Sequence, residues 1–332
     1  MSSAETRSKG RSGVRLGLQP YLQMARPDHW FKNIFVLPGA VLAVFFQPEL
    51  ARRESLLPLI LVLVATSLVA SSNYVINELL DAPSDREHPV KRHRPAASGL
   101  VRPAAAYLLW LLLAILGISL AWSVTVYAGL AAAALWIMGI IYNIPPLRSK
   151  EIPYLDVISE SINNPIRLLL GWFALIDNSF PPVSLAIAYW MIGAFFMAIK
   201  RFAEYRRIGD AAAAGRYRKS FVHYDEDRLL GSLFFFAMVG ALFTGVFIVR
   251  YHLELILAIP LVAGFLTWYL RIGLQDDSPV QHPEQLYREW HFVSYALLCA
   301  AVFLALMFTH VPVLYDWFNV ERSKASPLWT LE

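Results

Sequence analysis

Cysteine is nearly missing from this chain, which has one in 332 residues. Cys299 sits inside an apolar run, so a disulfide framework and a cysteine-based metal cluster within one chain are both excluded, and the thiol reads as a small hydrophobe. Charge is scarce as well. Asp, Glu, Lys and Arg make up 16% of the residues, where a soluble domain carries about 25%. Hydrophobic residues reach 57% and the mean hydropathy is +0.47, so water is the wrong solvent for most of the chain. The first 29 residues carry Arg7, Lys9, Arg11 and Arg15 but lack an apolar core of the signal-peptide kind beside them. They are expected to form a disordered basic tail over 1–17, then a short interfacial helix around LQPYLQMARPDHW. Nothing in the charge pattern supports nucleic-acid binding.

What the chain has in quantity is long apolar runs. Crossing roughly 30 Å of hydrocarbon at 1.5 Å per residue takes about 20 apolar residues. Such runs lie near 30–48, 57–80, 104–122, 124–142, 154–177, 183–200, 229–249, 253–272 and 290–310. The count of nine predicts an all-α integral membrane protein, with a tight helical hairpin where only Trp122 and Ser123 separate two spans. The 10 Trp and 15 Tyr suit headgroup depth, since each ring is apolar at one end and polar at the other. Residues 18–310 read as one membrane-embedded domain, and 311–332, with Trp317, Phe318 and Trp329, as an interfacial or disordered tail. By this assignment 23 of the 29 Lys and Arg fall on one side, in the N-terminal segment and after even-numbered spans. The other side holds Arg52, Arg53, Arg250, Arg322 and Lys324, and Arg167 falls inside span five. The positive-inside rule then puts the N-terminus in the cytoplasm and the C-terminus outside the plasma membrane.

One polar stretch needs a stronger reason than topology. NELLDAPSDREHPVKRHRP, Asn77 to Pro95, follows span two directly, and a carboxylate at a membrane helix centre costs about 2.5 to 3.5 kcal/mol on insertion scales. Asn77, Asp81 and Asp85 are four apart, which aligns them along one helix face over about 12 Å. Pro83 is expected to end or kink the helix near Asp81 and leave Asp85 in the loop. Carboxylates grouped in this way repel one another unless a cation sits among them. Mg2+ suits the task, because it keeps several waters and joins one or two carboxylates to phosphate oxygens. Arg86, Lys91, Arg92 and Arg94 follow at once and can meet phosphate directly. The bland alternative is a helix cap followed by an ordinary cytoplasmic loop.

The same residues carry a resemblance. NELLDAPSD and then DREHPVKRHRPAASG resemble the first acidic motif of the UbiA-type membrane prenyltransferase superfamily, N-D-x-x-D-x-x-x-D followed by D-R-x-x-P-x-K-x-x-R-P-x-x-S-G. Asn77, Asp81, Asp85, Arg86, Pro89, Arg94, Pro95, Ser98 and Gly99 match, with Lys91 or Arg92 as the basic position, and Glu78 departs from the usual Asp. The resemblance implies a bundle of about nine transmembrane helices around a central cavity open to the cytoplasm and bilayer, with a second acidic motif where span six ends. There, Lys200, Arg201 and Glu204 in KRFAEYRRIGD resemble the K-R-x-x-E of the polyprenyl-phosphate phosphoribosyltransferase branch, not the repeated aspartates of the aromatic prenyltransferases. ARPDHWFKN resembles that branch's R-P-x-Q-W-x-K-N through Arg26, Pro27, Trp30, Lys32 and Asn33, with His29 in place of Gln. YRKSFVHYDEDRLL resembles the stretch that follows the second motif.

That branch implies Mg-dependent transfer of 5-phosphoribose from phosphoribosyl pyrophosphate to a polyprenyl phosphate, giving a lipid-linked pentose for envelope polysaccharide. Asp81 and Asp85 would hold Mg2+ with Asn77, and Glu204 would ligate further or meet a sugar hydroxyl. Arg86, Lys91, Arg94, Lys200 and Arg201 would clamp phosphates. Arg26, Trp30, Lys32, Asn33, Asn73, Tyr142, Lys150, Asp156, Glu160 and Arg167 complete the set of expected substrate contacts. Simpler roles stand beside these. Arg26 and Trp30 would anchor an interfacial helix, Lys200 and Glu204 would pair with each other, and Asp156 and Glu160 would supply the counter-charge to Arg167. Asp210, Asp225 and Asp227 read as a solvated loop. The rival activity is prenyl transfer to an aromatic acceptor, and the rival class is a transporter or lipid-binding scaffold. The D-G-x-x-A-R pattern of CDP-alcohol phosphotransferases is missing, as is the soluble phosphoribosyltransferase signature, so the donor rests on the resemblance.

Overall fold

The computed structural model describes residues 17–87, 91–276, 278–281, 286, 288–321 and 328–331. Residues 1–16 of the tail expected over 1–17, Pro89 of the acidic motif, and Arg322 and Lys324 lie outside the described residues.

Proline and capping residues set many of the helix starts. Pro20, Pro103, Pro260 and Pro312 sit in the first turn, where the missing N–H has no intrahelical partner to lose, and open α1 (Gln19–Ala25), α4 (Pro103–Trp122), α11 (Ile259–Gly273) and α13 (Pro312–Phe318). Thr125 accepts from the Ala128 amide to start α5 (Val126–Asn143), so α4 and α5 form the expected tight hairpin. Asp210 and Asp225 cap α9 (Ala211–Tyr217) and α10 (Glu226–Tyr251) in the same way, which gives these loop aspartates a structural task. The remaining helices are α2 (Leu37–Phe46), α3 (Leu56–Asp85), α6 (Leu155–Ser161), α7 (Asn163–Phe173), α8 (Val183–Ile208) and α12 (Trp290–Met307).

Among the described residues, eight helical segments are long and apolar enough to cross a membrane, against nine expected. The difference is the fifth run, Leu155–Phe173, which carries Asp156, Glu160 and Arg167 and is interrupted at Ile162 between α6 and α7. Pro165 accounts for the break: it has no N–H for the Ser161 carbonyl, and its ring crowds that carbonyl. The first run also differs, since Pro27–Val36 is a 3-10 stretch ahead of α2. At α3 the expectation fails in the other direction, because the helix runs through Pro83 and ends on Asp85. A proline so near the end removes a single backbone bond, and the chain closes the turn with Arg86 N–H on the Ala82 carbonyl and Ser84 Oγ on the Asp81 carbonyl. Asp85 therefore stays on the Asn77–Asp81 face.

α3 packs along α4 and α5, α8 along α10, and α2 crosses α7. At that crossing Gly39 lies against the Leu168 carbonyl and Gly171 against the Val36 carbonyl, close enough that a methyl on either glycine would collide with backbone. Such approach between small residues is how membrane helices gain contact where lipid is as apolar as leucine. Leu108, Leu112, Phe234, Leu242 and Leu297 point outward from α4, α10 and α12, as surfaces in contact with acyl chains should. The ends of α3, α5 and α8, the 144–154 connection and the 209–225 connection meet at one end of the bundle.

The opposite end is tied by a buried acid. Glu254, fully buried, accepts from Val311 N–H at 3.0 Å and Tyr315 O–H at 3.0 Å, and faces His310 at 2.7 Å and His252 at 3.3 Å. It thereby docks α13 on the bundle. Further along, Trp329–Thr330 (β2) pairs antiparallel with Ser179–Phe180 (β1). Glu254→Ala strands these partners, a loss of about 1 to 3 kcal/mol for an unsatisfied buried group, so it should lower the thermal unfolding midpoint in detergent by several degrees. An unchanged midpoint would show that α13 docks without it.

Candidate active site

The acidic face of α3 is held by a chain of amides. Asn143, at the end of α5, donates Nδ2–H to the Gly139 carbonyl at 2.9 Å, which fixes which way its amide points. Its Oδ1 therefore faces α3 and accepts from Asn77 Nδ2 at 2.6 Å and from Lys150 Nζ at 2.9 Å. Asn77 Oδ1 is in turn directed away from Asn143 and has no hydrogen-bond donor among the described residues. Asp81 Oδ1 accepts from Lys150 at 2.6 Å and Arg148 at 2.9 Å. Asp85 Oδ2 pairs with Arg94 at 2.8 Å. Asp81 Oδ2 and Asp85 Oδ1 bind no donor among the described residues. Three oxygens at i, i+4 and i+8 are thus left on one helix face. Among the described residues no three acidic or imidazole side chains converge to enclose a metal alone. This donor set fits a hard cation that takes a few protein oxygens and completes its shell with water and phosphate.

Glu78, the departure from the family pattern, does not join that face. One residue beyond Asn77, it is rotated about 100° around the helix, buried, and turned to the Ala96 amide at 3.2 Å and Arg26 at 3.7 Å. It fastens the turn that carries Arg94 and Ser98. Arg26 also stacks over Tyr74, 5.6 Å from its centroid.

A second cluster gathers around one fully buried guanidinium. Arg201, 2% exposed, reaches Asp156 at 3.1 Å, Glu160 at 2.8 Å and Glu204 at 3.3 Å. Asp156 also accepts from Ser220 and Tyr224, and Glu160 from Tyr142 at 2.8 Å. Glu204 faces Arg218 at 4.0 Å. Asp156 and Glu160 are therefore committed to Arg201 and do not serve Arg167 as expected. Lys200 does not pair with Glu204; successive helix residues point about 100° apart, and the arginine is the one aimed at the acids. Arg167 instead donates to Asn33 Oδ1 at 3.2 Å, and Asn33 to Ser67 at 2.9 Å.

The other expected contacts divide. Arg86 donates to the Ala97 carbonyl and Lys91 lies over the Tyr217 ring, both at the mouth. Asn73 donates to the Leu135 carbonyl and packs on Gly139, and its Oδ1 is unpartnered. Trp30 donates to Ser71, and Lys32 packs over Phe31. Asn143, Arg148, Arg218, Ser220 and Tyr224 were not singled out from the sequence. Arg148 and Lys150 fall in the connection after span four, where basic residues read as topology. Arg148 has φ +31°, a left-handed conformation costly for a side chain with a Cβ, and is held there by Asp81, Glu151 and the Asn143 carbonyl. In this mouth, burial pushes the Lys150 ammonium below its usual range, with Asp81 opposing. Burial pushes Glu151 upward, but Lys219 and Arg148 outweigh it and hold the carboxyl below the carboxylate range.

With this geometry in place, comparison with known proteins identifies the fold's lineage. Residues 33–294 match the UbiA prenyltransferase family. The chain belongs to that family. Its decaprenyl-phosphate phosphoribosyltransferase from Mycobacterium tuberculosis strain H37Rv is 30% identical over 200 residues, 60% of this chain and 64% of that one. The match thus spans somewhat less than two thirds of that relative. A protoheme IX farnesyltransferase from Bacillus pumilus is 24% identical over 155 residues, 45% of this chain and 50% of its own. In fold, a UbiA homolog from Archaeoglobus fulgidus, solved bound to DMAPP and Mg2+, superposes with a TM-score of 0.65 at 22% identity, over 87% of this chain and 98% of that one. An all-α membrane bundle of the UbiA type is therefore the fold of this UbiA family member.

Arg201→Met leaves three carboxylates with reduced compensation. Removing one partner of a buried ion pair typically costs about 3 to 5 kcal/mol. The variant should lose thermal stability in detergent sharply, whereas Lys200→Met should change it little; equal effects would refute the central role of Arg201.

Proposed function

We propose that this UbiA family member transfers 5-phosphoribose from phosphoribosyl pyrophosphate to a polyprenyl phosphate. The observation that carries the reading is the state of the acids. Asp156, Glu160 and Glu204 pair with Arg201, and Asp81 and Asp85 each have one oxygen paired with Arg or Lys and the other assigned to Mg2+, so this reading leaves none of the five to act as a general base. An aromatic acceptor loses a ring proton and calls for one. A phosphate monoester does not, because with a second pKa near about 6 its oxygen is already ionised at neutral pH. The second motif points the same way, with one glutamate held by arginines in place of spaced aspartates. The 30% identity to a decaprenyl-phosphate phosphoribosyltransferase adds support.

In this reading the bond from C1 of the ribose to the diphosphate breaks, its electron pair leaves with the diphosphate, and a phosphate oxygen of the lipid bonds to C1. Asn77 Oδ1, Asp81 Oδ2 and Asp85 Oδ1 would hold Mg2+, which would supply charge neutralisation for the leaving group. Lys150 and Arg148 orient Asp81, and Arg94 orients Asp85. Arg86, Lys91, Lys200 and Arg218 face the donor's phosphates, a soluble triply phosphorylated sugar entering from the cytoplasm. That side follows from the 23 of 29 basic residues assigned to it, with the N-terminus cytoplasmic and the C-terminus outside the plasma membrane. Glu204 would meet a sugar hydroxyl, whereas Asp156, fully buried and held by Arg201, Ser220 and Tyr224, would position Arg201; the product is a lipid-linked pentose phosphate for envelope polysaccharide.

Two parallel assays decide between activities: labelled phosphoribosyl pyrophosphate with polyprenyl phosphate and Mg2+, and a polyprenyl diphosphate with labelled 4-hydroxybenzoate. Label should enter lipid in the first; label entering lipid only in the second overturns the proposal. In the productive assay, Asp81→Asn and Asp85→Asn should each lower kcat at least about 100-fold, the scale of losing a major electrostatic contribution. Chelation should abolish turnover, with Mg2+ restoring it. Undiminished turnover in either case would remove the metal from the mechanism.

A further inference from the structure

Among the described residues, Arg167 is a cation of the interior that the donor site leaves unexplained. It sits in the middle of α7 and is half-buried as a residue. Among the described residues no carboxylate pairs with it: its hydrogen bonds go to Asn33 Oδ1 at 3.2 Å and the Asn163 carbonyl at 3.5 Å, both neutral. The groups around it are neutral too. Tyr74 of α3 and Tyr189 of α8 are its electrostatic neighbours, and Phe35 stacks edge-on against Tyr189. Two polar atoms here are buried without a hydrogen-bond partner among the described residues, the Tyr189 hydroxyl and Asn163 Oδ1. A cation at membrane depth should be paired, and buried polar atoms are normally satisfied. An unpaired guanidinium beside an unused hydroxyl therefore describes a place for an anion with several acceptor oxygens.

We propose that Arg167, with Asn33 positioning it and Tyr189 donating, forms the subsite for the phosphate of the lipid acceptor. This deepens the phosphoribosyl-transfer reading and rests on it for the acceptor's identity. Depth separates this subsite from the donor's. Asn33 binds Ser67 and Tyr74 faces Arg167, so the guanidinium lies alongside α3 between these residues, about 4 to 15 Å below Asn77 along the helix axis at 1.5 Å per residue. The donor's cations stand at the mouth, whereas Arg167 stands in the hydrocarbon zone, where a prenyl tail would enter. A guanidinium offers a fork to two phosphate oxygens, and Tyr189 has a hydroxyl proton for a third. Asn33 Nδ2 is committed to Ser67, which turns Asn33 Oδ1 toward Arg167 Nε; with Nη1 on the Asn163 carbonyl, Nη2 is the terminal nitrogen that has no partner among the described residues.

The test is equilibrium binding to the full-length protein in detergent, using farnesyl phosphate and farnesol as matched probes and phosphoribosyl pyrophosphate with Mg2+ as the control. Wild type should bind farnesyl phosphate at least tenfold more tightly than farnesol. Arg167→Gln should erase that preference, Arg167→Lys should restore part of it, and Tyr189→Phe should weaken farnesyl phosphate binding about threefold. Donor binding should be unchanged in all three. Wild-type indifference to the phosphate, or a folded Arg167→Gln protein that keeps the preference, overturns the proposal. So does a loss of donor affinity in place of lipid affinity. Should Arg167→Gln not fold, Tyr189→Phe decides, and unchanged farnesyl phosphate affinity in it overturns the subsite. Because binding is read without turnover, a wild type that fails to transfer phosphoribose sinks the functional reading while this comparison still judges Arg167.

Discussion

The mouth of this bundle depends on Arg201. A guanidinium carries five N–H donors in a rigid fork and is ionised at any physiological pH, so it can stand among three carboxylates without losing its charge. Asp156 and Glu160 come from α6, Glu204 from its own helix, and Ser220 and Tyr224 from the far connection. Arg201 directly and Asp156 in turn thus join three parts of the chain that are distant in sequence. Water could have solvated these carboxylates separately at a surface. Within the bundle, the low dielectric makes each unpaired charge costly, and the shared arginine gives all three a partner. The broken helix belongs to the same constraint. Pro165 separates α6 from α7, which lets the acid-bearing turn of α6 face α8.

A second constraint runs through the amides. The Gly139 carbonyl fixes Asn143, Asn143 fixes Asn77 and Lys150, and Lys150 with Arg148 fixes one oxygen of Asp81. Each link uses one donor or acceptor of a group that has few, so the remaining lone pairs are directed by elimination. The result is a row of three outward oxygens on α3, obtained without crowding carboxylates against each other. Glu78 shows the complement: its extra methylene relative to aspartate lets it span to the Ala96 amide and Arg26, and the helix rotation keeps it from the row.

Periodicity and composition made the membrane bundle and the α3 face legible. Four-residue spacing is an intrinsic property of helices, so Asn77, Asp81 and Asp85 could be aligned from the sequence. Pairings across the bundle could not. Whether Asp156 serves Arg167 or Arg201 depends on the approach of α6 to α8, and both readings satisfy local spacing. Arg148 was hidden for another reason: in a membrane protein a basic loop residue is already accounted for by topology, so its charge carries little further information. Pro83 misled because its effect depends on how many backbone bonds remain downstream, and two residues from a helix end there are almost none to lose.

These constraints sort the cations of the interior into two kinds. Arg94, Lys150, Arg148 and Arg201 are neutralised by carboxylates within the protein, so their first task is to set the positions of oxygens. Arg167 is surrounded by amides and phenols instead, which can orient a guanidinium but leave its charge uncompensated. A protein that had evolved only to be stable would have no use for such a residue deep in a bundle, since replacing it with leucine would remove the desolvation cost outright. The uncompensated charge is therefore understandable as half of an interaction whose other half is not part of the chain. Lipid phosphate is a suitable partner, because it reaches that depth on a tail with the same solvent preference as the helices around it.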